Sequence, residues 1–256
     1  MDSEYNNIKQ KIDQQAYSFK IYLKEFLLDQ KTWELLNLIA LQTYIYIFSG
    51  VIRNFLLGYL ENRDLDIVVR NIDKLILPKK YWNHIQLEKN SFGGYKVKIG
   101  QLTVDAWDIK NTWGVQKLQL RDTPYSLINT AFFNFSAITY DYNREKFIYD
   151  KHFLQFYKNH AMDIVFDENP NVPLCILNTI YYSFKYDFPI KYCLCKWIVQ
   201  HYRKNFDFQK VQIRHFKHVF ISDNQIVKFI NICSEVLPRM GEDKKNSVLI
   251  IKNHPV

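Results

Sequence analysis

Two aspartates one residue apart, Asp64 and Asp66, interrupt an apolar, β-branched run that continues through Leu65, Ile67, Val68 and Val69. In an extended strand, residues two apart project from the same face. The two carboxylates therefore stand side by side, while Leu65 and Ile67 turn the other way. Like charges that close repel unless a cation lies between them. A divalent ion with oxygen ligands meets that need, and Mg²⁺ in particular is held by one or two carboxylates together with substrate phosphates. A third acid on a neighbouring strand would complete a two-metal site. Asp105, between Val104 and Ala106, offers it, and Asp108 competes for the same role. The plainer alternative is a turn-capping acid at Asp64 and an edge-strand acid at Asp66.

The residues just upstream favour the chemical reading. Thr43 to Phe48 is β-branched and aromatic, which predicts a strand. Ser49 and Gly50 follow, then a helical pattern over Val51 to Leu57, then Gly58 and the acidic strand. At such a strand-to-helix junction, free backbone N–H groups favour an anion. Gly50 lets a phosphate approach the chain closely. Arg53, one turn in, is placed to reach the same phosphate.

These residues need elements to hold them. Apolar spacing from residue 4 to 40 predicts helix. Tyr95, Val97 and Ile99 alternate with Lys96 and Lys98, a turn falls near Gly100, and Leu102, Val104 and Ala106 alternate on return, so a hairpin is expected there. Gly93 and Gly94, just before it, read as hairpin or bulge glycines. Ala131 to Asp150 reads as a second hairpin turning at 141–144. After residue 150 the pattern becomes helical, with starts at Pro173, at Pro189 and at Ser222-Asp223. The expected fold class is α+β: a small mixed sheet over residues 1–150, preceded by a helix, then an all-helical, basic domain over 151–256.

Composition bounds the function. Of 256 residues, 48% are hydrophobic and 16% aromatic, which excludes a disordered chain. No apolar run reaches the ~18 residues of a membrane span. The polar N-terminus holds no signal-peptide core, and the four cysteines (Cys175, Cys193, Cys195 and Cys233) lack CxxC spacing. A cytoplasmic protein with reduced thiols and no membrane partner is expected. The formal net charge is +8. Residues 151–256 hold 15 Lys and Arg against 9 Asp and Glu, so most of the excess lies there. A basic helical half suits a polyanion such as RNA. Arg214 to His218 (Arg-His-Phe-Lys-His) is the exposed cluster best suited to phosphates. Trp197, Tyr202, Phe206 and Phe216 recur at helical spacing and read first as core. Trp113 reads as core as well, and His84 is assigned no role.

The stretch from Ser49 to Val69 resembles the head-domain signature of class II CCA-adding enzymes and bacterial poly(A) polymerases, within the DNA polymerase β nucleotidyltransferase superfamily. The family pattern, Gly-Gly-x-Val-Arg-Asp-x-Leu-Leu-Gly followed by Asp-x-Asp, is matched at Gly50, Arg53, Leu56, Leu57, Gly58, Asp64 and Asp66. It departs at Ser49 (Gly in the family), Ile52 (Val) and Asn54 (Asp), and the gap between Gly58 and Asp64 is a residue longer. Arg121, Asp122 and Asn129 match a second segment. Pro173, Ile176, Leu177, Lys185, Phe188 and Ile190 match a third, in which Cys175, Asn178 and Tyr181 replace family arginines. The likeness covers about residues 43 to 190 and is strong over 48 to 69.

The resemblance implies a nucleotidyltransferase. Asp64, Asp66 and Asp105 would hold two Mg²⁺ ions, with Asp105 activating the attacking hydroxyl. Ser49, Gly50, Arg53, Asn129 and Asn178 would contact the nucleoside triphosphate. The acceptor it implies is an RNA 3′ end, tRNA-like. Without the arginines, the ordered CCA programme is not carried over. The alternative is nucleotidyl transfer to a small molecule such as an antibiotic, or to a protein hydroxyl, including a toxin-like role restrained by a protein partner or antitoxin. A non-catalytic relative is a third reading, which the three retained acids oppose.

Overall fold

The computed structural model describes residues 2–62, 64–77, 86–89, 93–99, 102–240 and 248–250. His84 and the turn at Gly100 lie outside them. The chain packs as two compact units, residues 1–131 with 135–154, and residues 132–134 with 155–256.

The first unit opens with helices α1 (Asp2–Gln14), α2 (Ala16–Tyr22) and α3 (Gln30–Ala40). The single helix expected over 4–40 is thus broken. A π-helical turn at Leu23–Leu27 ends α2, and Asp29 starts α3 by accepting from the Thr32 N–H at 3.0 Å. An N-cap aspartate satisfies an orphan donor of the new helix, so the break costs little. Phe19 is fully buried and packs against Phe55, Tyr140 and Phe147.

Strand β1 (Ile45–Phe48) runs into helix α4 (Gly50–Leu56) and then β2 (Asp64–Val69). β3 (Gln86–Lys89), β4 (Tyr95–Ile99) and β5 (Leu102–Asp108) follow. Two short helices come next, α5 (Trp113–Lys117) and α6 (Pro124–Asn129), and then the hairpin β6 (Ile138–Asp141) and β7 (Lys146–Tyr149). The seven strands are ordered β3-β4-β5-β2-β1-β6-β7. β2 and β5 pair in parallel, and the other neighbours are antiparallel. The pairing expected over 95–106 forms between β4 and β5, and the hairpin expected over 131–150 forms over 138–149 only, since Asn134–Ser136 is a short 3₁₀ turn. Gly94 is required: a Cβ there would fall 2.0 Å from the Ala106 carbonyl oxygen and 2.7 Å from the Trp107 Cα.

The N-terminal helices are tied to the second hairpin by tyrosines. Tyr149 donates to the Asp13 carboxylate (2.7 Å), Tyr142 to Asn37 (2.8 Å) and Tyr140 to the Ala16 carbonyl (3.3 Å).

Helix α7 (Lys151–Asn159) carries the division between the units. The second unit holds α8 (Val172–Tyr186), β8 (Ile190–Lys191), α9 (Tyr192–His201), α10 (Phe208–Phe216), α11 (Asp223–Val236) and β9 (Val248–Leu249). Asn171, Asp207 and the Ser222–Gln225 capping box start α8, α10 and α11. The unit is not all-helical, because β8 and β9 form an antiparallel pair. Pro189 does not start α9. Its carbonyl accepts from the Met162 N–H, which holds the segment extended with Phe188 and Ile190 buried. Trp197 is core, against Phe132 and His201, with its indole N–H on the Asp167 carbonyl. Phe216 packs with Tyr181 and Phe220, and Arg214, Lys217 and His218 are exposed. All four cysteines are free thiols. No helix among the described residues is long and apolar enough to cross a membrane.

Candidate active site

The parallel pairing of β2 and β5 decides where the acids go. Asp66 lies opposite Asp105, and Asp64 opposite Thr103. Neighbouring strands are about 4.8 Å apart, so the three acids occupy adjacent positions on one sheet face. All three are half-buried. The other face carries Leu65, Ile67, Val104 and Ala106, all buried. That alternation, one apolar face against one acidic face, fixes the register: a one-residue slip would bury the carboxylates.

Asp108 falls on the apolar face and is 1% exposed. Its carboxylate accepts from the Ile72 N–H and the Lys110 N–H, each at 3.1 Å. It caps the turn Ile109–Asn111 and holds Ile72 beside the end of β5. Its oxygens are thus committed to backbone and to the Lys110 ammonium at 3.5 Å, on the face away from Asp105.

Beyond Asp66 the next strand is β1, with Ile47 opposite Ile67, so the chain leaves β1 next to the acids. The bend there is Ser49, at φ 56° and ψ −94°. A residue with a Cβ is strained in that region. Ser49 is held there by its N–H on the Ile138 carbonyl and by its hydroxyl on the Ser136 hydroxyl (2.9 Å). A Cβ added to Gly50 would meet open space, so the chain can be approached closely at Gly50, whereas Ser49 is buried. Phe48 and Trp107 meet edge to face across β2, with centroids 6.3 Å apart. They give the acidic face an aromatic floor.

Arg53 is placed differently from the other cradle residues. It is 3% exposed and lies over the Phe135 ring at 5.1 Å. Its Nε and Nη2 donate to the Asn54 side-chain oxygen at 3.1 and 2.8 Å. Asn54 in turn donates to the Glu61 carbonyl (2.8 Å) and to Asn62 (3.1 Å). Asn62 donates to the Tyr22 hydroxyl. Burial pushes the Tyr22 phenol above its ordinary range, against the opposing pull of that hydrogen bond. Asn129 ends α6 and is exposed. Asn178 belongs to the second unit, half-buried on α8. The first unit thus brings Asp64, Asp66 and Asp105 together beside the Ser49–Gly50 bend. Asn129 sits on a separate short helix, and Asn178 in the other unit.

One charged residue escapes the sequence reading. Lys96 lies opposite Asp105 on β4, with its ammonium 3.4 Å from the Asp105 carboxylate. The Lys96–Lys98 alternation marks a solvated strand face but does not say what it faces. The donor set suits a hard divalent cation, since it consists of carboxylate oxygens with no His or Cys. Among the described residues, no three acidic, His or Cys side chains are already gathered into a metal cage.

No protein-family profile and no curated protein matches this chain. Solved structures do. A CCA-adding enzyme bound to CTP shares 17% identity over 82% of this chain, with a TM-score of 0.57. A tRNA nucleotidyltransferase complexed with a primer tRNA and an incoming ATP analogue matches 77% of the chain at 16% identity, TM-score 0.53. The Thermotoga maritima CCA-adding enzyme complexed with tRNA matches 86% at 17% identity, TM-score 0.50. The fold is that of the CCA-adding enzymes. The chain spans 53% to 60% of the length of these three proteins. What it shares with the CCA-adding fold runs through both units, since 82% coverage exceeds the share of either one.

Proposed function

We propose that this protein is a metal-dependent nucleotidyltransferase, moving a nucleoside monophosphate from a nucleoside triphosphate to an acceptor hydroxyl, most favourably at an RNA 3′ end. The observation that carries the reading is the register that sets Asp66 opposite Asp105, with Asp64 on the same face. Asp64, Asp66 and Asp105 are the residues that would hold Mg²⁺, two ions in the fullest form. When bound, that metal supplies Lewis acidity and charge neutralisation for in-line displacement at a phosphorus. The chain's own residues do the rest. The open backbone at Gly50, beside the Ser49 bend, receives phosphate oxygens. Asp105, on the strand farther from that bend, would take the proton of the attacking hydroxyl. The hydroxyl oxygen bonds to the α-phosphorus as the bond to pyrophosphate breaks. Phe48 and Trp107 close the floor against water. Arg53 serves the cradle by orienting Asn54, whose amide ties α4 to the loop at Glu61 and Asn62.

RNA is favoured as acceptor by the exposed cations of the second unit, among them Lys185, Lys196, Arg203, Arg214 and Lys217. The solved CCA-adding structures of this fold that carry tRNA support the same choice. The test supplies Mg²⁺, each of the four α-labelled triphosphates and an RNA pool. Label is expected on RNA, and is lost when the 3′ hydroxyl is blocked or when Asp66→Asn is introduced. Label on protein or on a small molecule alone would replace RNA as acceptor. No label with any triphosphate would overturn the enzyme reading.

A further inference from the structure

The acids form part of a longer row. Across four neighbouring strands stand Asp66, Asp105, Lys96 and Glu88, each opposite the next in the register. Asp64, Thr103 and Lys98 form the row beside it. Asp105 thus has a carboxylate on one side and an ammonium on the other. Its side chain is 18% exposed and that of Lys96 is 43% exposed, so the lysine head reaches in from the solvent edge to a partly desolvated acid.

We propose that Lys96 is the resident counter-ion of Asp105 in the metal-free protein, and that a divalent ion reaching Asp105 must displace it. The inference rests on the assignment of these acids to a metal site. Its physics is charge balance. Three carboxylates on one face repel one another, and a cation fixed by cross-strand register offsets part of that repulsion at Asp105. Lysine suits the task better than arginine. Its compact charge sits on a flexible stem and swings into water, whereas a guanidinium would lock onto the carboxylate with two bonds. Lys96 is then a positioning residue. It keeps Asp105 in place when the site is bare, and it weakens the metal position nearest Asp105. That position would fill once a triphosphate supplies oxygens of its own. Lys98, opposite Thr103, has no acid facing it in the register and provides the control.

The probe is Mn²⁺, titrated by calorimetry and by electron spin resonance into the full chain without nucleotide or acceptor. Lys96→Met should tighten the weaker Mn²⁺ site about twofold to fivefold, the scale expected of a half-exposed pair. It should also lower the melting temperature in EDTA and restore it in Mn²⁺. Lys96→Arg should weaken the same site, and Lys98→Met should shift it less than twofold. Unchanged or weaker Mn²⁺ binding in Lys96→Met, with wild type binding normally, would overturn this inference alone. Absence of Mn²⁺ binding in wild type would overturn the metal reading and the inference with it. An equal gain in Lys98→Met would reduce the effect to general surface charge and overturn the specific role.

Discussion

The side-chain amide of Asn54 donates to the backbone carbonyl of Glu61. This contact links two departures from the family pattern that look unrelated in the sequence: Asn in place of Asp, and a longer connection to the acidic strand. A carboxylate has no N–H to give, whereas the amide caps the added loop and still accepts from Arg53. Asn54→Ala removes both roles and leaves a buried guanidinium short of an acceptor. It should cost about 2–3 kcal/mol in urea unfolding. Asn54→Asp keeps the Arg53 contact and should act locally, speeding amide exchange over residues 59–62 by mass spectrometry.

Ser49 predicts an inversion of the usual order of substitutions. Glycine in place of serine normally destabilises through backbone entropy. At φ 56° it also relieves strain of about 1 kcal/mol or more, which offsets that entropy and the lost bond to Ser136. Alanine keeps the strain and loses the bond. Thermal melts should rank Ser49→Gly at or above Ser49→Ala, by about 1 kcal/mol.

Asp105 and Asp108 lie three residues apart on opposite faces, and their amide variants should fail in different ways. Asp105→Asn should lower nucleotidyl transfer on the order of a thousandfold, several kcal/mol of barrier, with little change in melting temperature. Asp108→Asn loses one of two charged backbone caps. It should cost about 1–3 kcal/mol of stability while folded protein keeps most of its rate.

Alkaline pH should release the N-terminal helices. Burial, before any neighbouring charge, holds the Tyr140, Tyr142 and Tyr149 hydroxyls above the ordinary phenol range. The nearby Glu145 carboxylate adds to the effect at Tyr140 and Tyr142, and the hydrogen bond to Asp13 at Tyr149. A pKa raised in the folded state stabilises fully below the unfolded value of about 10, and that stability is lost as pH climbs beyond it. Tyrosinate absorbance should therefore lag for these residues and then rise together with loss of helical circular dichroism above about pH 10. Early ionisation of all tyrosines with helix intact would contradict these ties.

How much of this is legible in the sequence differs residue by residue. The alternations in Asp64–Val69 and Tyr95–Ala106 encode strands because one face must be apolar. The Ser222–Gln225 box and Pro173 mark helix starts by chemistry that needs no tertiary partner. The break of the first helix is not legible, because Leu23, Phe26 and Leu27 continue an apolar period through the π turn. Helices α5 and α6 are too short for a period to develop. The opposition of Asp66 and Asp105 needs the parallel register, which no local pattern carries. The inward turn of Arg53 depends on Phe135, more than eighty residues later in the chain. The β8–β9 pair depends on what Met162 does to Pro189.

The tie from Tyr149 to Asp13 joins residues 136 apart in the chain. During synthesis the first helices therefore emerge long before their seat exists, and long-range closure of this kind is slow to form. The carboxylate row waits on a shorter closure, since two strands, β3 and β4, separate Asp66 from Asp105 in the chain. A ribosome-bound fragment ending before the last hairpin carries every acid and both strands that align them, yet lacks the Ile138 carbonyl that fixes the Ser49 bend. Chemical competence should thus arrive late and all at once, when the head closes on itself.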